Sequence, residues 1–444
     1  MTTASAPQPP TGMTPPAGGK MRKAAFGFIL VTLLLDVMSL GVVIPVWPAL
    51  IIGFTGSAAN AGWWVGVSGT TWAVMQFFCQ PIIGALSDKF GRRPIILASN
   101  LGTGIDWFFM AFSPTLLLLL VGRVISGATS ASVGTAFAYI TDVTEPAKRA
   151  ARFGLLGAVF GLGFMLGPAL GALLGDTRSQ LAIPGVDFVL HGGTRVPFMV
   201  AGALSLLNFA WGWFVLPESL PRGRRDRFRW SRANPVGALA LLRSHADLLP
   251  LSMVNFFAQL AHYALQTVFT LHAAARFHWR AREIGLAMVT MGLCAMVVQG
   301  GLTGPVVKAL GERRAIFAGL LFGAVGFAVY AFAPTWQIFM IGVPIMSLWG
   351  LAGPAIQSLM TRRVGVSEQG KLQGANQGVN SIAAIFGPGL YGALYAIFNG
   401  QLAWLGLPGF PFVVSSGFLL LAFVMALSAA RGAERREAVA AAGG

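Results

Sequence analysis

The sequence predicts an all-α membrane protein with twelve transmembrane helices in two pseudo-symmetric bundles of six. Three observations carry this. Of 444 residues, 55% are hydrophobic and 10% charged, with a mean hydropathy of +0.70, far from the composition of soluble domains. Apolar segments of about 20 residues, the length that crosses a bilayer as a helix, recur from residue 24 to residue 430. The chain also repeats itself at a constant offset of 220, as from Gly84 to Gly304.

Residues 1–23 are rich in Pro, Thr, Ala and Gly and read as a disordered tail. No basic stretch precedes a short apolar core there, so no cleaved signal peptide is expected. The spans follow at 24–47, 62–86, 94–113, 115–139, 152–175, 196–216, 250–274, 283–307, 314–333, 335–359, 372–398 and 409–430. The polar stretch 217–249, with seven arginines, is a linker between halves 24–216 and 250–430, and 431–444 is a second tail. Cys79 and Cys294 fall inside the second and eighth spans, which argues against a disulfide framework.

The formal charge of +16 does not imply a nucleic-acid partner, because its distribution follows the membrane. With odd-to-even turns outside, 25 of the 31 Lys and Arg lie inside, five lie outside, and Arg123 is within a span. That is the positive-inside bias. It places both termini in the cytoplasm and names the lipid bilayer as the partner.

The repeat aligns Gly84 and Gly91 with Gly304 and Gly311, and AFSPT (111–115) with AFAPT (331–335). It also aligns Gly167–Pro168 with Gly387–Pro388, and Thr141 and Gly154 with Thr361 and Gly374. Six spans per half give both halves one orientation. Such a pair forms a clamp that rocks about an axis normal to the membrane, which favours a transporter over a channel. The repeat fails at charges: Asp88 falls on Lys308, Asp106 on Gly326 and Arg123 on Val343. The N-terminal half is therefore expected to handle ions and the C-terminal half to shape a substrate surface.

Charge inside a bilayer costs about 2.5–3.5 kcal/mol on insertion scales, so the few intramembrane ions are candidate functional groups. Of fifteen acidic residues, only Asp36 and Asp106 lie well within spans. Asp36 sits twelve residues into the first, before Gly41, Pro45 and Pro48, and is read as a proton carrier or as a bond to a neighbouring helix. Asp106 and Arg123 stand at similar depth on either side of the Ser113–Pro114 turn. They pair with each other, or Arg123 faces Asp36.

On the seventh span, Asn255, Gln259, His262 and Gln266 share one helical face, expected to meet an aqueous cavity or to bond neighbouring helices. Trp349 on the tenth is an aromatic cavity wall or an interfacial residue. Asn376 and Asn380 on the eleventh suit helix packing. Glycines at 163, 167 and 171, with Pro168 as a kink, suit close helix approach, read as ordinary packing or as the moving seam between the halves. The stretch GALSDKFGRRP (84–94) crowds Asp88, Lys89, Arg92 and Arg93 into one turn.

These pieces resemble the major facilitator superfamily over nearly all of residues 25–430. Gly84, Asp88, Gly91, Arg92 and Arg93 resemble its signature between the second and third helices. GRVISGATSA (122–131) resembles the fourth-helix signature, with Arg123 as its arginine. GFMLGPALGA (163–172) resembles the fifth-helix signature of drug/proton antiporters. LLLDVMSLGVVIPVWP in the first span, YITDVTEPAKRAARFG and the acidic residue in the third span resemble the tetracycline-efflux branch. That branch carries a histidine on its eighth helix where this chain reads GLCAMVVQG (292–300), with Ala295 at the corresponding place and Gln299 nearby.

The resemblance implies a proton-driven transporter of the bacterial inner membrane that exports amphipathic small molecules, functional as a monomer and without a cofactor. It also implies a cytoplasmic gate lock of Asp88 with the arginines of its turn. A proton symporter importing a sugar, peptide or cell-wall fragment is the alternative. No nucleophile–His–acid set, metal cluster or phosphate-cradling loop supports an enzyme.

Overall fold

The computed structural model describes residues 19–130, 132–144, 149–176, 180–182, 189–221, 223, 225, 248–364 and 369–442. Residues 1–18 of the first tail, 443–444 of the second and most of the 217–249 linker, together with Arg178, lie outside the described residues.

Helix α1 comprises Gly19–Val43 and, after a break, Trp47–Thr55. α2 is Ala58–Phe90 and α3 is Arg92–Phe112. α4 comprises Leu116–Thr129 and Ser132–Val143. α5 is Arg149–Gly175 and α6 is Val196–Val215. Between them lies a short antiparallel hairpin, β1 (Gln180–Ala182) with β2 (Val189–His191), which the apolar pattern did not reveal. α7 comprises Leu248–Thr267 and Phe269–Phe277. α8 runs Ala281–Met296, a π-helical turn Val297–Leu302, then Thr303–Leu310. α9 is Glu312–Phe332. α10 runs Trp336–Ser347, a 3-10 turn Leu348–Leu351, then Ala352–Thr361. α11 is Gln369–Asn399, and α12, Phe410–Ala442, carries helix into the expected C-terminal tail.

Among the described residues, eleven helices are long and apolar enough to cross a membrane. The twelfth, α2, has the length at 33 residues but is diluted by Asn60, Ser68, Thr70, Thr71, Gln76, Gln80 and Ser87. Phe214, Leu117, Phe332, Phe386 and Trp336 are 51–84% exposed. In water that much bare apolar surface is a liability; in lipid it is solvation.

The repeat is carried by the backbone itself. α3 and α9 start and stop at positions 220 apart, behind Gly91 (φ 108°) and Gly311 (φ 81°). Both turns need a positive φ that only glycine adopts readily. Thr115 and Thr335 precede α4 and α10 with the same extended conformation, and Pro168 and Pro388 lie inside the continuous α5 and α11. The breaks in α4 and α10 also correspond.

Among the described residues, the contacts between the two bundles gather toward one end. Call the base the end bearing the Gly91 and Gly311 turns, and the top the opposite end. Near the top, Thr70 on α2 donates to the Ile385 carbonyl of α11 at 3.1 Å. A Cβ on Gly66 would come within 2.7 Å of the Pro388 carbonyl oxygen and one on Gly69 within 2.7 Å of the Pro388 side chain. α5 and α8 meet where Gly285 abuts Ala172 and the Pro168 carbonyl. Toward the base, a Cβ on Gly84, Gly157, Gly300 or Gly304 would find nothing within 4 Å. Among the described residues the clamp is joined at the top, and these base glycines meet no partner.

Candidate functional site

Asp36 lies on α1, partly buried, inside the N-terminal bundle. Asn208 of α6 donates to its Oδ1 at 3.2 Å and to the Thr32 carbonyl at 2.9 Å. Asn208 is fully buried, so one amide ties the carboxylate to both helices. Beyond Asp36 the helix breaks between Val43 and Trp47, in the stretch that holds Pro45.

That break places Trp47 over a charge. The Arg123 guanidinium lies 4.6 Å from the Trp47 ring centroid and 5.4 Å from that of Trp107, and its Nη2 contacts Met110 Sδ at 3.0 Å. Two indole faces thus solvate the cation where water is scarce. Asp106, on α3 beside Trp107, is 1% exposed, and neither of its oxygens has a hydrogen-bond partner. Asp106 and Arg123 do not form the direct pair that was one of the two expectations for them. The two are electrostatic neighbours, with the arginine turned onto the indoles and Met110 rather than onto the carboxylate. The Ser126 hydroxyl lies beside Asp106 without meeting hydrogen-bond geometry. Gly122 makes this closeness possible, since a Cβ there would strike Met110 and come within 3.3 Å of Asp106 Oδ1.

At the base, Asp88 Oδ1 meets Arg92 Nη1 at 2.6 Å, and Arg92 continues to Asp142 at 3.2 Å and to the Ser87 hydroxyl at 2.6 Å. Arg93 donates to the Trp213 carbonyl. Glu218, just past α6, accepts from the Arg92 backbone N–H at 2.9 Å and reaches Arg225 at 3.7 Å. It supplies the anion that the N-terminus of α3 lacks, because that helix begins with two arginines. Gly91 leaves room for it, as a Cβ would overlap the Glu218 carboxylate. The repeat shows the same need met differently: Glu312 opens α9 itself and binds Arg362 at 2.9 Å and Ser358 at 2.6 Å. The Arg92–Asp142 pair thus recurs 220 residues on with its signs exchanged. These partners of Asp88 and Arg92 belong to the N-terminal half and, with Glu218, to the start of the linker, while Gly84 faces open space.

The polar stripe of α7 is partly met by its own bundle. Asn255 donates to Asn380 Oδ1 at 2.9 Å. His262 and Trp349 lie together, their rings 5.5 Å apart at 52°. Gln259 is partly buried and Gln266 exposed. Trp349 stands in the 3-10 turn of α10, and beside it Gly350 receives Gln299, which sits in the π-helical turn of α8. Two helical irregularities thus face each other where the eighth-helix histidine is missing; π turns of this kind often occur at functional sites. Asn376 donates to Gln357 at 2.9 Å, a packing role as expected.

The glycines of α5 take the packing reading rather than that of the moving seam. Gly163 and Gly167 face Val37, Met38 and Gly41 of α1, within the same bundle. Glycines four apart form one face, and α1 claims it. The contact with the other half is made by the neighbouring face, Met165, Pro168 and Ala172, against Gly285 and Gly292 of α8. Pro168 serves both, its ring toward Gly41 and its carbonyl toward Gly285, as does Gly175 at the top, between Val46 and Ala281.

Two bundles of one orientation, with Asp36, Asp106 and Arg123 within the spans of one of them, define a membrane transporter. A family model described as the Major Facilitator Superfamily matches residues 29–254 and 251–443, and the chain belongs to that family. It is a transporter of small molecules embedded in a membrane, not an enzyme. It is 38% identical to the class C tetracycline resistance protein of Escherichia coli, over 85% of this chain and 92% of that one. It is 32% identical to the class G tetracycline resistance protein of Vibrio anguillarum, over 87% and 93%. Among solved structures, a bacterial homolog of the human lysosomal transporter Spinster, described as inward-facing and unoccupied, superposes with a TM-score of 0.71 at 17% identity. That match covers 94% of this chain and 98% of the other and concerns the fold alone.

Proposed function

We propose that the chain is a proton-driven exporter of amphipathic small molecules in a bacterial inner membrane, with both termini cytoplasmic and the base facing the cytoplasm. The observation that carries this is the confinement of Asp36 and Asp106, the acids well within the spans, to one half of a duplicated clamp. Its tetracycline-resistance relatives support export of a drug-like solute. The joined top then corresponds to the inward-facing state, ready to accept a solute from the cytoplasm or inner leaflet.

In this reading the substrate lies between the halves, against His262, Trp349 and Gln299 on one side and α1 and α4 on the other. Trp349 offers a flat apolar face and Gln299 a hydrogen-bonding amide, a combination suited to a planar ring bearing polar substituents. Protonation of Asp36 weakens its tie to Asn208, and Arg123 and Asp106 tune that site. The Gly91 and Gly311 turns close against the opposite half when the base shuts, with Asp88, Arg92 and Arg93 as the lock. No cofactor takes part; the proton gradient supplies the energy, and a monomer suffices.

The test uses inverted membrane vesicles with an imposed proton gradient and a compound panel that begins with tetracycline. Gradient dissipation by a planar amphiphile, absent in Asp36→Asn, supports the reading. Dissipation by a sugar or peptide instead turns it to the symport alternative.

A further inference from the structure

The interface between α3 and α4 holds a ladder of polar side chains. Asn100, Thr103 and Asp106 recur three apart on α3, and Arg123, Ser126 and Thr129 three apart on α4. One rung is closed, Thr103 to Thr129 at 3.5 Å between hydroxyl oxygens. The others are not. Asn100 is 1% exposed with neither side-chain atom partnered, both Asp106 oxygens are unpartnered, and so are the fully buried Ser126 hydroxyl and Arg123 Nε. Native interiors rarely leave such atoms alone, and bound water is their usual partner.

The repeat supplies an internal control. At the corresponding positions the C-terminal half has Leu320, Gly323 and Gly326 on α9 and Val343, Met346 and Trp349 on α10. There Trp349 fills the space over Gly323, and Met346 that over Gly326. The same two pairs of positions in the N-terminal half are Thr103 with Thr129 and Asp106 with Ser126. The duplicated interface is therefore dry and filled by large side chains in one half. In the other it is lined by small polar ones, whose unpartnered atoms are ready ligands for water.

We propose that the α3–α4 seam of the N-terminal bundle holds bound water, and that this water carries the proton between Asp106 and the base-facing end of the bundle. The second clause rests on the proton-coupling reading above; the first does not. No bond other than O–H changes: a water beside Asn100 passes a proton along the seam to an Asp106 oxygen and takes one back on release.

Radiolytic hydroxyl-radical labelling of the full chain in nanodiscs tests the water without any substrate. Met110, 1% exposed and beside the seam, is expected to oxidise several-fold faster than Met360, fully buried in the other half. Asn100→Leu is expected to abolish the difference, and Ser126→Ala to reduce it should the leucine variant fold poorly. Equal rates for the two methionines in the wild type overturn the water. The relay is tested with tetracycline as the probe. Asn100→Leu should lower gradient-driven uptake into inverted vesicles roughly 10²-fold, the usual effect of losing a proton-transfer group, while leaving tetracycline exchange without a gradient unchanged. A variant that labels slowly yet takes up tetracycline at the wild-type rate overturns the relay. Fast labelling in a wild type that moves no tetracycline leaves the seam standing and removes the transport reading instead.

Discussion

Replacing Arg123 by leucine removes the cation that shares its surroundings with Asp106 and leaves an acid 1% exposed, with no hydrogen bond to either oxygen. Leaving one member of a buried charge pair costs about 3–5 kcal/mol. The lost stacking on Trp47 and Trp107, at 4.6 and 5.4 Å, adds about 2 kcal/mol when the site is desolvated. Asp106→Asn in the same chain removes the orphan charge and leaves only the second cost. The double variant is therefore expected to be more stable than Arg123→Leu alone by about 3 kcal/mol, roughly a hundredfold in the folding constant. The assay is thermal unfolding in mild detergent, followed by the fluorescence of the twelve tryptophans, with both single variants and the double completing a cycle. If Arg123→Leu unfolds within about 0.5 kcal/mol of wild type, as an innocuous surface change does, or the double variant loses the sum of the singles, the two charges do not support each other.

Glu218→Ala removes the anion from the start of α3 and is expected to cost about 1 kcal/mol, the usual value of a cap, and to speed trypsin cleavage after Arg225, whose partner it is; mass spectrometry of timed digests checks this. Gly91→Ala faces both a φ of 108° and the Glu218 carboxylate, so a loss of about 1–3 kcal/mol is expected, partly relieved in Gly91→Ala with Glu218→Ala, as read by melting temperature. Asn255→Leu and Asn380→Leu each strand one partner of a 2.9 Å bond and should cost about 1–3 kcal/mol, the double variant less than either. Trp349→Ala is expected to weaken tetracycline binding by about 1 kcal/mol, roughly five- to tenfold in Kd, without changing the dependence of uptake on the pH gradient; calorimetry and vesicle uptake together separate the two.

Helix number, the duplicated halves and the glycine turns were legible because each is written locally. A span is an apolar run, a repeat is one register, and a positive φ calls for glycine. Pairing across the chain was not. Asp106 and Arg123 stand at matching depths on adjacent helices, which suggested an ion pair. Only the break before Trp47, which carries an indole from α1 over α4, turns the guanidinium away. Glu218 lies 126 positions from the amide it binds, and nothing in the stretch PES around it signals that. Two arginines at the start of a helix did signal an unmet need for an anion, and that was the available clue. The α5 glycines show the complementary limit: spacing reveals that 163 and 167 share a face but not which neighbour takes it, and α1 does.

The most direct test of proton coupling through the first helix measures proton and solute flux in the same proteoliposomes, with pyranine inside and labelled tetracycline outside. With an outward-directed gradient, wild type is expected to accumulate tetracycline while protons leave, and Asp36→Asn to do neither although it still binds the drug. Uphill accumulation by Asp36→Asn, or by wild type with no proton gradient and no membrane potential, contradicts it.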